Sequence, residues 1–251
     1  MVARHDLATD PGVRAGLATV RLGTAYFRRA LSRVADRDFD APSLLPGWSR
    51  RHLIAHVGYN ARAIARLVTW AATGVETPMY SSPEARQDEI DSGATLRPDA
   101  LRSLCEHAAI DLDVRWRDLP DPNWNTTVVT AQGRSVPASE TLWMRTREVW
   151  LHAVDLDARA RVDEIPDAVL YRLLGDVVGL WGKRDQLDGL SLRAVREAGV
   201  ESSFGANGGA RVEVSGSLPA LVTWATGRVF DSPGQGLTWT GGEPRPAPRW
   251  I

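Results

Sequence analysis

Three residues far apart in the chain have the types and spacing to hold one metal ion: His56, Glu148 and His152. Glu148 and His152 lie in the run Trp143-Met144-Arg145-Thr146-Arg147-Glu148-Val149-Trp150-Leu151-His152-Ala153-Val154-Asp155. On a helix that spacing puts them on one face, one turn apart. His56 lies in a second helix-like run, Trp48 to Val57. Two imidazoles and one carboxylate are a usual set of three protein ligands for a catalytic zinc, whose fourth position stays open to a substrate, a water or a thiol. Nickel, cobalt and iron accept the same donors, so the set does not single out one metal.

Other residues compete for the same roles. His52 stands one helical turn before His56, and the two could bind a metal as a pair. The stripe Leu53, His56, Val57, Asn60 and Ile64 favours His56 as the inward residue, while His52 lies nearer the start of the helix, beside Arg50 and Arg51. Periodicity alone does not settle the choice. Glu148, among Trp143, Val149, Trp150 and Leu151, is costly to bury without a positive partner. A metal is one such partner; an ion pair with Arg145 or Arg147 is the other. The single cysteine, Cys105, falls in an apolar helical stripe and reads as core, not as a nucleophile. His5 sits in the polar N-terminus and is given no role. There is no phosphate loop, no GxGxxG after a strand and no GxSxG elbow. Gly205-Ala206-Asn207-Gly208-Gly209 precedes a strand-like run and reads as a turn.

Helices must position these side chains. Asp10-Pro11 reads as an N-cap with proline at the first helical position, opening a helix to about residue 36. Pro42 to Gly47 breaks the chain. Ser49 then caps a second helix to about residue 72, with Gly74 placed to end it. Ser82-Pro83 opens a short helix to about Ile90, and Pro98 a third long one to about Leu119. Between Pro120 and Pro137 the β-branched run Trp124 to Thr130 and the Gln132-Gly133 turn predict an extended excursion or hairpin. A fourth long helix spans about 138–158, with Ser139 as cap. Four long amphipathic helices with one excursion before the last predict a four-helix bundle. After about residue 160 the texture changes. A helix from Pro166 to about Lys183 precedes short segments at Leu190 to Val195, Ala210 to Val214 and Gly236 to Thr240, with a capped helix from Ser217 to Arg228 among them. The expected class is α+β: a metal-binding bundle over 1–162 and a small α+β domain over 163–251.

Composition excludes other classes. The 251 residues carry a formal net charge of −1, so there is no electrostatic footprint for nucleic acid. One cysteine forbids an intrachain disulfide and agrees with a reducing compartment; the chain is expected to be cytoplasmic. The N-terminus has no apolar signal core, and no apolar run approaches the ~18 residues of a membrane span. No long apolar stripe is left over, so a monomer is expected. The ten tryptophans are read mostly as core anchors, a few as pocket walls.

Leu45-Pro46-Gly47-Trp48-Ser49 followed by Leu53-Ile54-Ala55-His56-Val57 resembles the second-helix motif of the DinB-like metal-binding four-helix bundles. In that superfamily the histidine of the motif is a metal ligand, which implies His56 over His52. Glu148 and His152 on the last bundle helix resemble the form found in the mycothiol-dependent maleylpyruvate isomerases. So do Glu76 to Tyr80, Ser82 to Arg86, Thr130 to Arg145, Val214 to Leu218 and Pro248 to Trp250, so the resemblance runs through nearly the whole chain, most weakly over 185–208. It implies an enzyme of gentisate breakdown that converts maleylpyruvate to fumarylpyruvate, with zinc as the metal and mycothiol as a thiol cofactor returned at each turnover. It also implies that Arg86 is tied to catalysis.

That chemistry suits the residues. Rotation about a C=C bond is slow until the double bond is lost. Addition of a thiolate to the conjugated alkene leaves a single bond that rotates, and expulsion of the thiolate restores the alkene as trans. A free thiol has a pKa of ~8.5, and a coordinating metal deprotonates it. Arg86 would clamp a substrate carboxylate and stabilise charge pushed onto the carbonyl. Asp155, three residues past His152, is placed to orient its imidazole. Two other readings use the same residues: a mycothiol S-transferase, which would consume thiol, and a non-catalytic metal-stabilised binding module, which would close the metal's coordination.

Overall fold

A computed structural model describes residues 5–195, 201–205, 211–228 and 236–250. The chain divides into two compact units, Met1–Ala160 and Arg161–Ile251.

The first unit is built on four long helices: α1 (Pro11–Arg33), α2 (Arg50–Thr73), α4 (Pro98–Arg117) and α5 (Glu140–Asp155). α1 packs on α5, α2 packs on α4, and α2 also meets α5, which brings the two chemistry-bearing helices together. The shorter α3 (Pro83–Ala94) lies against α2. Local chemistry sets the ends. The Asp10 carboxylate accepts from the Val13 amide, and the Ser49 and Ser82 hydroxyls accept from the His52 and Ala85 amides. Gly74 closes α2 in the left-handed conformation, φ 72°. Ser139 does not cap α5 as expected: its backbone is already helical and its hydroxyl makes no capping bond. The preceding tight turn, in which the Thr141 amide reaches the Ala138 carbonyl at 3.0 Å, enters the helix instead. α3 also runs past Ile90, because Gly93 continues the helix where it presses on Ala55 and the Tyr59 ring.

The expected excursion is a hairpin, β1 (Thr127–Val129) against β2 (Ser135–Pro137), antiparallel with Val128 opposite Val136. The core between the helices is apolar: Leu17, Val20, Leu53, Ile54, Ile64, Leu67, Leu101 and Leu112 are at most 1% exposed. Each contributes about 1.5–3 kcal/mol by leaving water. Buried Trp116 donates to the Thr141 hydroxyl at 3.0 Å, so its indole N–H is satisfied across α4 and α5. Gly23 lets α1 approach α5 closely; a Cβ there would stand 2.6 Å from Trp150 Nε1.

The second unit carries α6 (Asp167–Lys183), α7 (Leu218–Ala225) and a four-stranded sheet. The strands are β3 (Leu190–Val195), β4 (Glu201–Gly205), β5 (Val212–Gly216) and β6 (Leu237–Thr240), in the order β4-β3-β5-β6. β3 and β5 are parallel and the other pairs antiparallel. Trp181, Trp224 and Trp239 stack edge to face through this core, at 5.8 and 5.5 Å between centroids. Strand β4 was not anticipated: Glu-Ser-Ser-Phe-Gly lacks an apolar alternation because it pairs only at the sheet edge. β5 is shifted two residues from the expected 210–214, and α7 stops at Ala225, short of Arg228, before Gly227 at φ 71°. Ala206 to Gly209, read as a turn, and Ala210 lie outside the described residues. Among the described residues no helix is long and apolar enough to cross a membrane.

Candidate metal centre

α2 delivers His56, and α5 delivers Glu148 and His152 from one face. The three donor atoms lie within 4.8 Å of one another. His56 Nε2 is 2.8 Å from Glu148 Oε2, and His152 Nε2 is 3.1 Å from the same oxygen. The two rings meet edge to face, 5.1 Å between centroids. Tetrahedral zinc ligands at ~2.1 Å lie roughly 3.4 Å from one another. The two nitrogen–oxygen distances would need to open only slightly around an ion, and the donor chemistry fits a divalent metal. Asp155, fully buried, faces His152 from behind, with Oδ2 2.8 Å from Nδ1.

These contacts fix the protons. His152 lies between two carboxylates, with Nδ1 on Asp155 and Nε2 on Glu148, and donates to both. Burial opposes its charge, but the hydrogen bonds to Asp155 and Glu148 outweigh it and raise the imidazole to about 9. Burial pushes His56 down despite its bond to Glu148, so His56 is neutral and donates from Nε2. Its Nδ1 faces the Arg86 guanidinium, Nη2 at 3.5 Å. Burial alone would raise Glu148, yet the hydrogen bonds from His152 and His56 hold it well below the usual carboxylate range. The proton settles on His152 because it has two anionic neighbours, whereas His56 has a guanidinium on its far side.

His52 is elsewhere: its Nδ1 lies 2.7 Å from the hydroxyl of Ser49, the cap of its own helix. Cys105 is buried with Sγ on the Ile54 carbonyl at 3.2 Å, and burial pushes its thiol up to about 12. Arg145 is not the ion-pair partner of Glu148 that its position suggested. Its Nη1 donates to the Val57 carbonyl at 2.7 Å and to Asn60 Oδ1 at 2.9 Å.

Residues 20–157 match the family described as the mycothiol maleylpyruvate isomerase N-terminal domain. A crystal structure of the mycothiol-dependent maleylpyruvate isomerase, and one of a mutant of it with a histidine changed to alanine, each superpose on nearly the whole chain. Both are 48% identical, cover 95% of this chain and 97% of their own, and give a TM-score of 0.87. The chain belongs to the mycothiol-dependent maleylpyruvate isomerase family. No curated protein sequence matches it.

Two further side chains join the centre of this family member without having been singled out in the sequence. Trp48 sets its ring edge to face against His56, 5.4 Å between centroids. Its sequence signals are its place in the Leu45 to Ser49 motif, just before a helix cap, and the number of tryptophans, which had suggested that some line a pocket. Tyr80 precedes α3, and burial raises its phenol to about 12; Arg86 opposes the rise and Glu148 adds to it. Tyr80 thus shares the electrostatic surroundings of both residues and keeps its proton at neutral pH. Its only sequence signal is its place in the Glu76 to Tyr80 segment.

Proposed function

We propose that the protein isomerises maleylpyruvate to fumarylpyruvate, with mycothiol as a thiol returned at each turnover and zinc held by His56, Glu148 and His152. One observation carries this reading: His56 Nε2, Glu148 Oε2 and His152 Nε2 converge from two helices in a chain of this family. Zinc bound there would supply the positive centre that keeps a thiol ionised near neutral pH.

The chain's own residues prepare that chemistry. Glu148 supplies one negative charge among two imidazoles, which leaves a divalent site net positive and open to an anion. Asp155 holds His152 through Nδ1, so that Nε2 is the atom turned toward Glu148 and the centre. Arg86 stands beside His56, partly exposed, where a guanidinium fork can take a carboxylate of the dianionic substrate and stabilise charge pushed onto its conjugated carbonyl. Tyr80 stays a phenol at neutral pH, close enough to Arg86 and Glu148 to feel the charge of both. Cys105, buried and held as a thiol, supplies no thiolate, in keeping with an external thiol.

The test follows maleylpyruvate by absorbance with the zinc-loaded protein, with and without mycothiol, while free thiol is measured in parallel. Fumarylpyruvate formed only with mycothiol, at constant thiol, is the expected result. Thiol consumed on a panel of electrophiles with no isomerisation would move the reading to an S-transferase. Neither change would leave a metal-binding module.

A further inference from the structure

Arg145 is 2% exposed, and the proposed chemistry gives it no part. It begins a stripe on α5 that continues through Glu148, His152 and Asp155, at the spacing of successive helical turns. Burying a guanidinium is costly, and an apolar side chain of similar volume would fill the core without that cost. What an apolar side chain lacks is direction. Arg145 spends one nitrogen, Nη1, on two acceptors of α2: the Val57 carbonyl at 2.7 Å and Asn60 Oδ1 at 2.9 Å. Val57 follows His56, and Asn60, itself buried, stands one turn beyond it. Arg145 therefore ties the turn of α2 that bears His56 to the turn of α5 that leads into Glu148.

We propose that Arg145 is a positioning residue that sets the spacing and aim of His56 against Glu148 and His152, so that the three ligands stand ready before a metal arrives. This rests on the reading of those three residues as metal ligands. The tie is to backbone and amide groups, so it fixes the geometry of the ligands and leaves Glu148 free to face the two imidazoles. Charge alone would not do this; a donor at that point is required.

Co(II) is the probe, bound to the full chain, with affinity read by chelator competition and ligand geometry by the visible absorption of the ion. Arg145→Met should bind Co(II) roughly 10- to 100-fold more weakly, the range found when an outer contact of a ligand is lost, and with an altered spectrum. Arg145→Lys should recover most of both, because one ammonium can reach the two acceptors that one guanidinium nitrogen now serves. Leu67→Ala, a fully buried core change on α2, should lower the melting temperature with Co(II) affinity and spectrum unchanged. If Arg145→Met fails to fold, Asn60→Ala carries the same expectation, since it removes one acceptor and keeps the charge. Wild-type affinity and spectrum in the Arg145→Met or Asn60→Ala protein would overturn the inference. A wild type that binds no Co(II) would overturn it together with the metal reading. Variants that bind as expected in a protein that isomerises nothing would sink the proposed reaction and leave the role of Arg145 standing.

Discussion

Metal uptake at neutral pH should release one proton, and that proton should come from His152. In the metal-free protein, Nε2 of His152 donates to Glu148 while Nδ1 donates to Asp155, and the imidazole titrates at about 9. A metal that takes Nε2 must displace that proton. Glu148 is held well below the usual range and is already ionised, and His56 is pushed down and already neutral, so neither adds a proton between pH 7 and 9. Well below 9 the apparent affinity should therefore fall tenfold per pH unit, and from pH 9, where half the sites already carry the proton, to pH 7 it should fall about 50-fold (~2.3 kcal/mol). Two ordinary histidines at pKa ~6.5 would instead release roughly half a proton at pH 7, and affinity would level off just above neutrality. Titration calorimetry in buffers of different ionisation enthalpy counts the protons directly. The same raised pKa acts on stability with a definite sign. A group raised from 6.5 to about 9 stabilises the metal-free fold in full below 6.5 and loses that contribution as pH rises through 9. The metal-free melting temperature should thus fall over the interval in which metal affinity rises. Release of half a proton with flat affinity above pH 7 would refute the placement of His152 between two carboxylates.

His56→Ala should lose the metal and His52→Ala keep it, read by metal content after dialysis, since only His56 reaches Glu148; the opposite pattern would overturn the ligand set. Gly23→Ala should lower the melting temperature, with a cost of about 1–3 kcal/mol from overpacking against the Trp150 and Val149 side chains, only partly offset by the better helix propensity of alanine. Cys105 should resist thiol reagents at pH 8 in the folded protein and react on unfolding. A thiol raised to about 12 and buried offers roughly one thiolate in ten thousand molecules at that pH. Fast labelling of the native protein would contradict its burial.

The bundle could be read from the chain because each helix announces its ends locally. Asp10, Ser49 and Ser82 cap within three residues of the amides they satisfy, and Gly74 adopts the one conformation that closes α2 cheaply. The Glu148 and His152 pair was legible for the same reason, as a spacing within one helix. What spacing does not encode is what another helix presents. The choice between His52 and His56 stayed open on periodicity and needed the family motif. Arg145 was, with Arg147, the alternative to a metal as the partner of Glu148, by nearness in sequence, yet it bonds a backbone carbonyl and an amide of α2, partners that leave no mark in the spacing of charged residues. Arg86 was notable only through the resemblance; that its guanidinium comes to His56 Nδ1 depends on how α3 lies on α2. In the second unit, the edge strand β4 escaped because an edge needs no apolar alternation.

The centre draws on residues 92 apart in sequence, His56 and Glu148. Closing a loop of that length costs on the order of 4 kcal/mol of chain entropy. An α5 formed alone offers two donors, Glu148 and His152, and no third. A metal held by these three residues would therefore find no complete ligand set during synthesis until α5 has left the ribosome and packed on α2. Its loading would follow assembly of the apolar core between the helices. The centre would then be a late acquisition in the life of each molecule, completed by the packing of the bundle and not the start of it.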